Sequence, residues 1–219
     1  MATSVAPTSR EAGGSTPPAP WYRDRNRQLL AGVIVLALAA IVTWFVVTSG
    51  RRKEEFAARS LTQARATAEA GNLPLASSEL QKLIQTYRGT DAASEAVITL
   101  NQVRLVNGQA ELAAVGLRDF LGSNPPKKYI APASGLLGAS LENARKWADA
   151  GDAFMRASEA ADVEYLKARY LVDAGRAYSE AGKKEEAARA YRTVITKYPK
   201  SSSMTEAQVR LAELTGGKM

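Results

Sequence analysis

The chain has 219 residues and a formal net charge of +7, with neither cysteine nor histidine. Disulfides and thiolate metal sites are therefore excluded, and the usual general base and commonest transition-metal ligand are missing. With no nucleophile elbow, phosphate-binding glycine loop or convergent carboxylates either, no enzyme, metal, cofactor or small-molecule substrate is expected.

In chain order, residues 1–28 come first, rich in Pro, Ser, Thr, Ala and Gly up to Pro20, and read as a disordered tail. Leu29 to Thr48 form a twenty-residue run without a charge, twelve of them Leu, Ile, Val or Phe. At about 1.5 Å per residue a helix of that length crosses the ~30 Å hydrocarbon core. Trp21, Tyr22 and Trp44 lie near its ends, where amphipathic rings favour the interface. A cleaved signal peptide would have a shorter apolar core and a small-residue cleavage site, and a buried core helix would show a polar face. The reading is a retained transmembrane helix over 29–49, with the membrane contacted through residues 29–48. Arg23, Arg25 and Arg27 before it balance Arg51, Arg52 and Lys53 after it, so charge counting does not choose an orientation.

From Arg51 onward 25 Lys and Arg face 20 Asp and Glu, interleaved rather than blocked. No basic patch with interleaved aromatics is present, so nucleic acid is not an expected partner. Paired helical segments fill this part: FAARSLTQARATAEA with LPLASSELQKLIQTY, DAASEAVITLNQVRLV with AELAAVGLRDFLG, 133–144 with 146–158, and 163–181 with 184–198, then a last helix near 204–214. Gly or Pro punctuates most of the breaks. Ala76, Ala113, Ala150 and Ala187 recur every 37 residues, each followed four residues later by Leu80, Leu117, Phe154 or Tyr191. Five residues before each alanine stands a turn position, Gly71, Gly108, Arg145 or Gly182. A fixed period in this range marks stacked helical hairpins, which present extended surfaces to other chains.

Leu171, Gly175, Tyr178, Ala187, Tyr191 and Pro199 occupy positions 4, 8, 11, 20, 24 and 32 of a unit beginning at Ala168. This closely resembles the tetratricopeptide repeat. Leu137, Gly138, Leu141, Ala150, Phe154 and Ala157 match in the preceding copy, whereas the first copy has Ala64 and Thr67 where Gly and Tyr are usual. The expected fold is all-α: an N-terminal transmembrane helix, then a solenoid over 51–217. Its hairpins are placed at 57–90, 94–127, 131–164 and 168–201, with a capping helix at 203–215. Phe154, Tyr178, Tyr191 and Trp147 read as core packing. The resemblance places a groove on the first helices, giving Leu61, Arg65, Ile98, Gln102, Val172 and Arg176 as candidate partner-binding residues. The Lys and Asn of a carboxylate clamp are missing from positions 5 and 9, so capture of an acidic chaperone tail of that kind is not expected. Leu61, Ile98 and Val172 have a second reading, packing on the neighbouring hairpin.

The anchor followed at once by about four such hairpins resembles the ancillary SecYEG translocon subunit family (YfgM-like). That resemblance implies a single-pass inner-membrane protein with a cytoplasmic N-terminus and a periplasmic repeat domain, a scaffold meeting the translocon, periplasmic chaperones or secreted clients. AGRAYSEAGKKEEAARAYRTVITKYPKS and LQKLIQTYRGT are also similar to repeats of BamD-like assembly lipoproteins and of the cell-division coordinator of the Tol-Pal system. This gives an envelope-assembly or division factor as the alternative.

Overall fold

The computed structural model describes residues 25–217, all in helices, turns and their connections, with no strand among them. The tail read as disordered, with Trp21, Tyr22 and Arg23, lies outside the described residues as far as Asp24. Helix α1 covers Arg25–Glu69 without a break, so the chain stays helical where the sequence placed the end of the apolar segment. An exposed Gly50 costs a helix interior about 1 kcal/mol, too little to end a helix of this length. The chain divides into two compact units, residues 1–49 and 50–219. In the first, every side chain from Leu29 to Val47 is exposed.

In the second unit the remaining helices are α2 (Leu73–Thr86), α3 (Asp91–Val106), α4 (Ala110–Gly122), α5 (Ile130–Asn143), α6 (Trp147–Ala160), α7 (Glu164–Glu180), α8 (Lys184–Lys197) and α9 (Met204–Thr215). A 3-10 turn, Lys127–Tyr129, leads into α5 and starts that helix earlier than expected. Pro132 is tolerated there because first-turn amides have no partner to lose. Each helix packs on the next in sequence. The four turn positions all adopt positive φ, 84° at Gly71, 75° at Gly108, 56° at Arg145 and 74° at Gly182. Arg145 therefore holds a left-handed conformation that glycine occupies in the other hairpins, at a cost of roughly 1–2 kcal/mol.

The 37-residue alanines lie inside the stack: Ala76, Ala113, Ala150 and Ala187 are all 0% exposed. Beside them the hairpins solve one packing problem in two ways. Gly138 faces the ring of Phe154, and Gly175 faces that of Tyr191; a Cβ on either glycine would lie 2.5–2.6 Å from a ring carbon. In the first two hairpins the glycine is replaced by Ala64 or Asn101, and the partner shrinks to Leu80 or Leu117. Asn101 is 1% exposed; its Nδ2 donates to Val97 O and its Oδ1 accepts from Arg104 Nη1. It lies beside Gly116, between an apolar core built from α1, α2 and α3 and a larger one running from α4 to α9. The last helix closes the stack by burying Ala207 and Leu211.

Candidate interaction surface

Lateral ion pairs join the first helices of successive hairpins. Arg65 Nη2 on α1 lies 2.6 Å from Glu95 Oε1 on α3 and also donates to Thr99 Oγ1. Arg176 on α7 reaches back to both oxygens of Glu142 on α5, at 3.1 Å, and donates to Asp173 Oδ1 as well. The second helices have a parallel ladder, with Arg118 on Asp149 and Lys146 near Glu111. The exposed pairs among these, such as Arg118–Asp149 and Lys146–Glu111, are worth about 0.2–1 kcal/mol each and orient side chains more than they stabilise the stack.

The six candidate groove residues do not form one surface. Leu61 and Val172, expected to offer apolar contact to a ligand, are only 4% and 3% exposed and belong to the two cores. Ile98 is partly buried against the larger core. The packing reading of these side chains is the one the structure supports. Each stands where its helix meets the next hairpin, and burying it stabilises more than presenting it to water. Arg65 and Gln102 do come together, with Thr99 and Val106, around an open cleft of ≈360 Å³. Arg176 lines another cleft, of ≈320 Å³, with Glu142, Asn143, Trp147 and Glu180.

Trp147 is only partly buried at the start of α6 and flanks that cleft, contrary to its reading as a core residue. Glu142 and Asp173 were not among the candidates. Glu142 occupies position 12 of its unit, a groove position, so its spacing was a usable signal; the half-burial of Asp173 had none.

Burial raises the carboxyl pKa values of Glu142 and Asp173 above the ordinary range, with Arg176 opposing the shift at both and Arg169 at Asp173. At Asp91 the bond from Lys128 wins and its pKa is lowered. The linkage signs are opposite. Raised groups contribute stability that is fully present below the unfolded values of 4.5 and 3.8 and is lost as pH rises through the folded ones. Asp91 contributes stability present above 3.8 and lost as pH falls through its lowered folded value. The double variant Glu142→Gln, Asp173→Asn is therefore expected to lose less stability than the parent between about pH 4 and pH 7. Urea midpoints at both ends check this; equal changes in parent and variant would contradict it.

A family model described as a tetratricopeptide repeat-like domain matches residues 20–216. No curated protein matches the sequence. Among solved structures, a Podosopora anserina putative kinesin light chain with nearly identical TPR-like repeats is similar over 73% of this chain and 85% of its own, with 15% identity and a TM-score of 0.58. The MamA protein is similar over 74% of this chain and 88% of its own, with 19% identity and a TM-score of 0.55. These likenesses concern the fold, an α-solenoid whose repeats serve protein–protein interaction. The chain belongs to the tetratricopeptide repeat-like domain family.

Proposed function

We propose that the protein is a membrane-anchored scaffold of the cell envelope, with residues 1–28 cytoplasmic and the repeats from 51 onward extracytoplasmic. In this reading it holds partner chains beside the translocon, in the manner of the ancillary SecYEG subunit family it resembles. The observation that carries the proposal is the apolar helix joined to the repeats: residues 29–47 expose their side chains around the whole helix circumference. Leaving so much apolar surface in water is unfavourable by roughly 25 cal/mol per Å²; a bilayer removes that cost. The α1 helix is long and apolar enough to cross one. The repeats supply the protein-binding function, through the clefts at Arg65–Gln102 and Glu142–Arg176 rather than through an apolar groove.

The test uses the absence of native cysteine. In intact spheroplasts an impermeant thiol reagent is expected to modify Ser202→Cys and not Ser4→Cys; the reverse pattern overturns the orientation. Crosslinking in intact membranes is expected to capture translocon subunits or periplasmic chaperones. Capture of outer-membrane assembly or division proteins instead would replace the translocon reading with the envelope-assembly one.

A further inference from the structure

We infer that the edge of the repeat unit around the first turn of α3 binds anionic lipid headgroups; this rests on the anchored reading above. Arg51 and Arg52, both exposed, follow the apolar stretch directly in sequence. Lys53 Nζ donates to the carbonyl of Arg88 at 2.7 Å. The carboxylate of Glu54 accepts from the amides of Asp91 and Ala92, both at 2.8 Å, and so caps α3. One period later, Lys128 pairs with Asp91, and Tyr129 Oη donates to the carbonyl of Asp91 at 3.2 Å. These contacts bring Lys53, Arg88 and Lys128 about the start of α3, with Arg51, Arg52 and Lys127 next to them in sequence.

The acids at this edge are largely occupied. Glu54 is committed to two backbone amides and Asp91 to Lys128. Lys127 is 80% exposed and only 3.7 Å from Asp162, which is itself exposed. Glu55 is the further acid in the stretch between Arg51 and Arg59. Six cations against Glu54, Glu55, Asp91 and Asp162 leave the edge with a charge of +2. Where α7 turns into α8, at the other end of a hairpin, Lys183 and Lys184 are matched by Glu185 and Glu186. A scattered cation is ordinarily just solvated. Here the cluster begins at the residue that follows the apolar run, so the anchor keeps it at the headgroup layer on its own side of the bilayer, and basic residues close to that surface are drawn to whatever anionic lipids the leaflet carries. Long Lys and Arg stems reach a headgroup layer without giving up their charge.

The full chain is reconstituted into vesicles carrying a headgroup-linked quencher, with a fluorophore on Thr86→Cys near Arg88 or on Lys184→Cys. With about one third anionic lipid, quenching of the Thr86 label is expected to exceed that of the Lys184 label at least twofold. The excess should vanish in zwitterionic vesicles and at about 0.5 M salt, where the Debye length is roughly 4 Å. Arg88→Glu with Lys127→Glu should also abolish it, with circular dichroism unchanged. Equal quenching of the two labels in anionic vesicles, from a chain that resists alkaline extraction, overturns the lipid-binding edge and leaves the anchor standing. A chain that washes off at alkaline pH overturns the anchor and the edge with it.

Discussion

Gly175→Ala should destabilise residues 50–219 by about 1–2 kcal/mol, although alanine is normally the better helix residue by roughly 0.5–1 kcal/mol. A Cβ there would lie 2.5 Å from Cε1 of Tyr191, and that ring is only 1% exposed, enclosed by α7, α8 and α9 neighbours. The ring cannot swing aside without displacing the core. Gly122→Ala is the internal control: nothing lies within 4 Å of a Cβ at that helical glycine, so the same change should be neutral or slightly stabilising. Tyr191→Leu alone should cost about 1–3 kcal/mol through the space it leaves. Combined, Gly175→Ala and Tyr191→Leu recreate the Ala64–Leu80 arrangement of the first hairpin, in which both side chains are fully buried. The double variant should therefore recover about 1 kcal/mol or more relative to the sum of the singles. Urea melts of the four proteins complete the cycle, and additivity within about 0.5 kcal/mol would refute the exchange of ring for methyl.

That exchange also explains which parts of the fold could be read from the sequence. The alanine period and the large residue four places on are constraints of packing inside the stack, so they appear in every copy and mark the stack directly. Helices α3 and α4 begin and end where the sequence placed them, because Thr90, Gly108 and the Asn124-Pro125-Pro126 run are local signals. The first hairpin read weakly because it has Ala64 and Thr67 where a later copy has Gly175 and Tyr178; the first difference is compensated by a residue sixteen positions away. The continuity of α1 through Gly50 was not legible, since one glycine has the same appearance inside a helix as after one. Of the six candidate binding residues, the polar ones alone keep the exposure that their positions suggested. Position in the repeat places Arg65, Gln102 and Arg176 on accessible faces, but the burial of Leu61 and Val172 depends on how closely the next hairpin approaches. Spacing within one helix says nothing about that distance.

Ala150→Leu and Ala187→Leu should each destabilise the repeat unit by about 1–3 kcal/mol, through overpacking rather than loss of contacts. Both methyls are 0% exposed, and each belongs to the continuous core that runs from α4 to α9. Three further heavy atoms at either site must displace a neighbouring backbone or force strained rotamers. Lys184→Ala, on the exposed start of α8, should stay within about 0.5 kcal/mol. The two alanines are also expected to differ in reach. In a stack whose units touch mainly their neighbours, damage propagates across interfaces. Ala150 lies in α6, which packs on both α5 and α7, while Ala187 lies in α8, which packs on α7 and the terminal α9. Amide exchange should accelerate from α5 through α7 in Ala150→Leu, and from α7 through α9 in Ala187→Leu. The smaller core of α1, α2 and α3 stands beyond the polar Asn101 and should keep its protection in both. Uniform acceleration over the whole unit would mean that the stack unfolds as one body, and that Asn101 does not separate its two cores energetically.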